Sequence, residues 1–364
     1  MPEAVARDKF HCPGCGADAH WNPAKQALVC PYCGAVAPGR RDEATGQIEE
    51  HDLAAALRDA PDSARGWKAT RTSVKCQSCQ AISVFDPARV GQRCDFCGAA
   101  QLVPYEQTRA PISPESLLPF KLAEPAVRDL IREWYGRLWL APDALKSRAL
   151  TDTVRGIYVP YWTFDAQADA AWTAESGYYY YETEYYQDQN GRTVSRQVQR
   201  VRWQPSAGEI HHFFDDQLVP GTRGVNPELL RSVEPFPTKE LVPYEATFLA
   251  GWVVEQYQVD LRAAAERSRQ EMDRQLHSLC ASQVPGDTHR NLQVDADYHD
   301  QTFKHVLCPV WILTYVYGPS SYQVVINGYT GAIAGRYPKS WVKILLLILA
   351  LLAFAGGVVF FSRR

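Results

Sequence analysis

The chain has little net charge and none of the short motifs that commonly mark enzymes. Its 38 Lys and Arg against 41 Asp and Glu leave a formal charge of −3, so the overall balance does not advertise a polyanionic partner such as nucleic acid. No Gly-x-x-x-x-Gly-Lys-Ser/Thr loop, Gly-x-Ser-x-Gly elbow or His-Glu-x-x-His helix occurs, which removes the sequence signatures of P-loop nucleotide binding, α/β-hydrolase nucleophiles and zinc proteases. The N-terminus, MPEAVARDKFHCPGCG, carries no apolar run of the kind a secretory signal needs. The folded part is therefore expected to stay in the reducing compartment where it is made. What is present is enough for a core: 46% hydrophobic and 22% charged residues over 364 positions describe a folded protein of two or three domains.

Ten cysteines stand out. Cys12 and Cys15 are followed by Cys30 and Cys33, and Cys76 and Cys79 by Cys94 and Cys97, with the same gap between pairs in both sets. WNPA at Trp21 and FDPA at Phe85 begin at the same offset within each set, so the two sets are a duplication. Two Cys-x-x-Cys turns joined by a short hairpin bring four thiolates to the corners of a tetrahedron, the geometry zinc accepts in structural sites. These eight cysteines are the candidate metal ligands, for two structural zinc ions with no open position for water or substrate. Disulfides, redox Cys-x-x-Cys motifs and a rubredoxin-like iron compete for the same residues. Gly16, Gly34 and Gly98 follow the second cysteine of their pairs, where the turn requires positive φ. Gln80 fills that place in the fourth pair, which predicts a weaker second site. Cys280 and Cys308 read as buried small hydrophobes.

The fold class expected is α+β. It comprises two N-terminal four-cysteine zinc ribbons, a mostly antiparallel, β-rich α+β middle and one C-terminal transmembrane helix. The divisions are ribbon 1 at residues 1–40, a helical linker at 41–72, ribbon 2 at 73–103, a Pro-rich connector at 104–120, an α+β domain at 121–240, a second α+β part at 241–338 and the membrane helix at 341–361. Val127, Leu130, Ile131, Trp134 and Leu138 recur at helical spacing behind Pro125, and a short helix is expected from Pro142 to Leu150. Ile157 to about Phe214 reads as antiparallel strands turned at Asn190-Gly191. GWVVEQYQVD reads as a strand, Leu261 to Ser282 as a helix, and VLCPVWILTYVY and YQVVINGYTGAIAG as strands with a hairpin at Asn327-Gly328.

Ile344 to Phe361 is 18 apolar residues without a charge. At 1.5 Å per residue that is about 27 Å, near the thickness of a bilayer core. Trp341 and Lys343 flank it on one side and Arg363 and Arg364 on the other, as interface anchors do. The expectation is a single-pass, tail-anchored protein of the cytoplasmic membrane, held to the lipid bilayer by Ile344 to Phe361, with the bulk of the chain cytoplasmic.

Among other constellations, YYYYETEYY at 178–186 reads as a strand with aromatics on both faces, the alternatives being a base-stacking or membrane-interface surface. His211-His212 with Asp215-Asp216 resembles a ligand cluster, but neighbouring strand residues point to opposite faces, so the histidines are not expected to share a metal. Residues 1–110 hold 13 basic and 13 acidic side chains, and each four-thiolate zinc site adds about two negative charges. That is a poor footprint for DNA, and no small-molecule substrate is predicted.

Taken with EHDLAAAL after the first ribbon, LLPF at 117–120, GIYVPYWTFDA from Gly156, LAGWVVEQYQVDL from Leu249, and PVWILTYVYG with VINGYTGAIAGRYP, the paired ribbons resemble a bacterial family described as containing transcription factor IIB-type zinc ribbons. That family is often labelled primosomal protein N′ or superfamily II helicase. A helicase needs a phosphate loop and an acidic magnesium motif, and neither is present. What the resemblance implies instead is a scaffold, not an enzyme. It would recruit phage-shock-protein-A-like and SPFH-type or virion-core-like proteins to the membrane in envelope stress. The alternative is a membrane-tethered nucleic-acid binder using the ribbons and the tyrosine strand.

Overall fold

The computed structural model describes residues 10–37, 48–58, 72–85, 94–99, 101–105, 112–142, 154–187, 191–318 and 320–362. The expected helix beyond Pro142, most of the second repeat's FDPA and Asn190 of the expected turn lie outside them. In chain order the first ribbon contributes β1 (His20–Asn22), β2 (Ala27–Val29) and β3 (Val36–Ala37), a small antiparallel sheet. β4 (His51–Asp52) and α1 (Leu53–Arg58) follow, then the second ribbon with β5 (Thr72–Cys76), β6 (Ile82–Phe85) and β7 (Leu102–Tyr105). β8 (Ser116–Leu117) and α2 (Glu124–Arg137) lead into three very long strands and the elements between them.

Those strands are β9 (Val154–Gln187), β10 (Thr193–Pro220) and β13 (Thr288–Tyr317). Between β10 and β13 lie α3 (Pro227–Ser232), β11 (Val242–Pro243), β12 (Val253–Glu255) and α4 (Leu261–Gln283); β14 (Ser320–Asn327), β15 (Ile333–Gly335) and α5 (Trp341–Ser362) close the chain. β9 has β10 antiparallel along one edge and β13 antiparallel along the other. At about 3.3 Å per residue its 34 residues would reach about 110 Å if straight.

The sequence of β9 changes along its length and its burial follows. Ile157 to Ala166 is a nearly continuous apolar run and is buried throughout, as a strand covered on both faces must be. From there Ala166, Ala168, Ala170, Trp172 and Ala174 alternate with exposed residues, the period of a strand covered on one face only. The cover is α4. Its Leu261, Ala264, Ser268, Met272, Leu276 and Cys280 recur at helical spacing and face the alanines of β9 in one cluster, and the small side chains let the helix approach closely. Asp260 caps that helix through the Ala263 amide. Beyond Gly177 β13 has ended, and β9 and β10 continue as a two-stranded hairpin carrying the tyrosine run.

The second ribbon is not a bead beside this body. β6 pairs antiparallel with β12, which pairs parallel with β9, so β5, β6 and β7 complete a twelve-stranded sheet of order β11-β8-β13-β9-β12-β6-β5-β7, with the remaining strands branching from it. The first ribbon docks by Trp21. Its amide donates to the Ala250 carbonyl at 3.0 Å and its indole meets the Phe248 ring edge-on at 4.5 Å between centroids.

The structure corrects several expectations. Among the described residues no helix is long and apolar enough to cross a membrane, which overturns both the C-terminal transmembrane helix in the expected fold class and the single-pass anchor in the cytoplasmic membrane. Residues 341–362 do form a helix, α5. The strand expected over GWVVEQYQVD shrinks to Val253–Glu255 because Asp260 starts α4. The hairpin at Asn327-Gly328 is a longer loop: the Asn327 carboxamide accepts from the Tyr329 and Thr330 amides, and Gly331 carries the positive φ.

Candidate metal centres

Each Cys-x-x-Cys turn closes by the same two backbone bonds. The amide of the residue after the second cysteine donates to the first cysteine's carbonyl: Gly16 to Cys12 at 2.8 Å, Gly34 to Cys30 at 3.0 Å, Gln80 to Cys76 at 2.9 Å and Gly98 to Cys94 at 2.9 Å. The first cysteine's amide in turn donates to Ala17, Ala35, Ala81 or Ala99. An alanine thus stands at the same place in all four turns, a regularity legible in the sequence that the cysteine spacing alone does not reveal. The donors Gly16, Gly34 and Gly98 have φ of 72°, 71° and 75°, and Gln80 takes φ 66° in the same role. The left-handed geometry is demanded by the turn, so the glutamine adopts it against its preference.

These turns bring Cys12, Cys15, Cys30 and Cys33 into one group and Cys76, Cys79, Cys94 and Cys97 into another, each able to hold a metal ion. The fit is quantitative. A zinc ion with four Zn–S bonds of about 2.3 Å has tetrahedral S–S edges of about 3.8 Å. The Sγ pairs Cys12–Cys33, Cys15–Cys30, Cys76–Cys97 and Cys79–Cys94 lie at 3.4, 3.5, 3.6 and 3.6 Å. A disulfide, at about 2.05 Å, is far shorter, and all ten cysteines are free.

The electrostatics agree with a site for a cation. Donation from the Cys33 amide, with help from the Tyr32 amide, draws the Cys30 thiol down to about 6, and the thiols of Cys79 and Cys94 draw Cys97 down to about 2. Hydrogen bonding with Cys94 and Cys97 in turn drives Cys79 far up. At Cys15 the Ala17 amide pulls downward, but the Cys30 and Cys33 thiols push it up to about 12. Four sulfurs this close cannot all ionise without a positive charge among them.

The remaining candidates separate. Cys280 is buried on the inner face of α4 and Cys308 in β13. His211 turns to Asp169 at 2.5 Å, while His212 packs against the Phe214 ring, so the two diverge as strand alternation requires. Asp215 and Asp216 join Asp165 in a third group, an acidic one, that spacing did not disclose. Lys304 Nζ sits against Asp216 at 2.8 Å and Glu50 at 2.9 Å, supplying the positive charge there. The tyrosines lie on the hairpin, with Tyr179, Tyr180, Tyr181, Tyr185 and Tyr186 exposed.

No protein-family model matches the chain, and no solved structure matches it. Among curated proteins, the chain is similar to "Uncharacterized protein YdjG" of Bacillus subtilis (strain 168). The two are 23% identical over 337 residues, spanning 92% of this chain and 91% of that one.

Proposed function

We propose that this chain is a non-catalytic zinc protein that acts as a scaffold. The two tetrads hold structural zinc, and the exposed β9–β10 hairpin receives partner proteins. The observation that carries the reading is the four-sulfur set at both centres. A zinc ion with four thiolates has no open position, so it neither activates water nor polarises a substrate.

The docking half is supported by how the hairpin sorts its side chains. Register pairs Tyr179 with Val201, Tyr181 with Gln199, Thr183 with Gln197 and Tyr185 with Ser195, and directly paired residues share a face. That face carries no charge and three exposed tyrosines, the composition of a protein-contact surface. The other face carries Arg196, Arg200 and Arg202, of which Arg196 and Arg200 are engaged by Glu184. Few cations are thereby left for phosphates, so a nucleic-acid partner ranks second. The phage-shock-protein-A-like and SPFH-type or virion-core-like proteins implied by the sequence resemblance are the first partners to test.

Metal analysis of the reduced full chain is expected to return two zinc ions per chain. A purified phage-shock-protein-A-like partner is expected to be captured by the full chain, and less so when Tyr179, Tyr181 and Tyr185 are replaced by serine. Metal-free protein under reducing conditions, or undiminished capture by the triple variant, refutes the reading. Salt-dependent retention on single-stranded DNA would favour the nucleic-acid alternative instead.

A further inference from the structure

The duplicated ribbons are not equivalent in the fold. Corresponding residues between the second pair of ligands are Tyr32 in ribbon 1 and Phe96 in ribbon 2. Tyr32 is 82% exposed and Phe96 is 0% exposed. Phe96 sits in a cluster with Leu118, Ile157 and Val253, and its carbonyl accepts from Thr314 Oγ1 at 2.8 Å and Gln323 Nε2 at 3.1 Å. Its neighbour Asp95 is buried and paired with Arg155 of β9. The turn bearing Cys94 and Cys97 is therefore clamped by β9, β13 and β14, and opening the second centre requires these contacts to break.

Ribbon 1 is held from its hairpin, through Trp21 and through Gln26 Nε2, which donates to the Phe120 carbonyl. Its ligands Cys15 and Cys33 are exposed, whereas at the second centre Cys76 and Cys94 are buried and Cys79 and Cys97 half-buried. A thiolate's reaction with an oxidant follows its exposure.

We propose that ribbon 1 is an oxidation-sensitive metal site that surrenders its ion to peroxides, while ribbon 2 is a permanent staple of the sheet. The inference rests on zinc occupying both tetrads, as proposed above. In the first step the Cys15 or Cys33 thiolate attacks one oxygen of the peroxide. The S–O bond forms, the O–O bond breaks, and the departing oxygen leaves with the electron pair and takes a proton. The partner thiolate then attacks the sulfenic sulfur, forming the S–S bond and expelling hydroxide, which a second proton converts to water. Two thiolates give up two electrons, one peroxide becomes two waters, and the ion, left with two sulfurs, dissociates. Proximity selects Cys15 with Cys30 at 3.5 Å and Cys33 with Cys12 at 3.4 Å as the disulfide pairs. Each bond would join opposite turns of the ribbon. The exposed surface around Tyr32 would then change with oxidant while the body stays folded.

The test uses the full chain loaded with zinc and treated with hydrogen peroxide beside a chromogenic chelator, followed by peptide mapping. A starting content below two ions overturns the metal reading itself. From two ions, the expected result is loss of one, with a disulfide mapped to Cys15–Cys30 or Cys12–Cys33 and the second centre reduced. Cys33→Ser is expected to start with one ion, to resist peroxide, and to keep the thermal transition of the body. Loss of both ions together, or first oxidation mapped to residues 76–97, overturns the proposal, as does rapid release from Cys33→Ser.

Discussion

Gln80→Gly isolates one backbone angle and predicts its effect on metal affinity. Gln80 holds φ at 66°, a left-handed conformation that costs an L-residue roughly 1–2 kcal/mol. Glycine removes that cost but forfeits about 0.5 kcal/mol in backbone entropy. It also forfeits about 0.5 kcal/mol from the exposed Nε2 bond to the Gln77 carbonyl. The net gain is about 0.5 kcal/mol. Folding of a ribbon and binding of its metal are one equilibrium, so the gain is expected as roughly two- to threefold tighter zinc binding, at 1.4 kcal/mol per tenfold.

The mirror change is Gly98→Gln, at φ 75° in the same ribbon with nothing within 4 Å of where its Cβ would stand. It adds strain and no clash, and is expected to weaken binding by a similar factor. Competition of zinc between a chromophoric chelator and the reduced full chain measures both. Weaker binding by Gln80→Gly, or no loss in Gly98→Gln, refutes the claim that the turn demands the left-handed angle.

Phe96→Ala removes a fully buried ring that ties the second centre to the body; it is expected to cost about 3–5 kcal/mol in denaturant unfolding and to speed zinc release from ribbon 2 but not from ribbon 1. Glu255 is wholly buried on β12, and desolvation, against the pull of the Thr222 hydroxyl, the Gln258 carboxamide and the Gly224 amide, pushes it up to about 8 from 4.5. Since the folded value lies above the unfolded one, its full contribution to stability is present below pH 4.5 and is lost as pH rises towards 8. Urea unfolding across that window is expected to show a wild-type decline relative to Glu255→Gln, and a constant difference refutes the assignment. Gly156→Ala drives a methyl into the Trp252 ring, itself stacked on Phe120, and is expected to lower stability by about 1–3 kcal/mol with a matching drop in Tm.

Much of the metal chemistry was open to reading from residues alone because a Cys-x-x-Cys turn is a local object. Its bonds close within six residues, its glycines report a local angle, and four such turns at matched spacing identify two tetrads before any fold is known. The same holds for α4, where Asp260 and the periodic apolar face from Leu261 settle the element by local capping and amphipathicity. The long strands were legible only in pieces. Continuous, alternating and exposed stretches of β9 look like separate strands, because what unites them is pairing with β10 and β13, as far away in sequence as Val154 is from Leu313.

Sequence by itself determined the ligand sets, their duplication and the demand for positive φ at each turn, all consequences of short-range geometry. It suggested that Gln80 makes the second site the weaker one. Tertiary structure decided how each ribbon is held. Phe96, Asp95 and β12 build the second ribbon into the main sheet, whereas the equivalent Tyr32 faces solvent. Which of two near-identical local modules is locked depends on long-range contacts that neither module encodes.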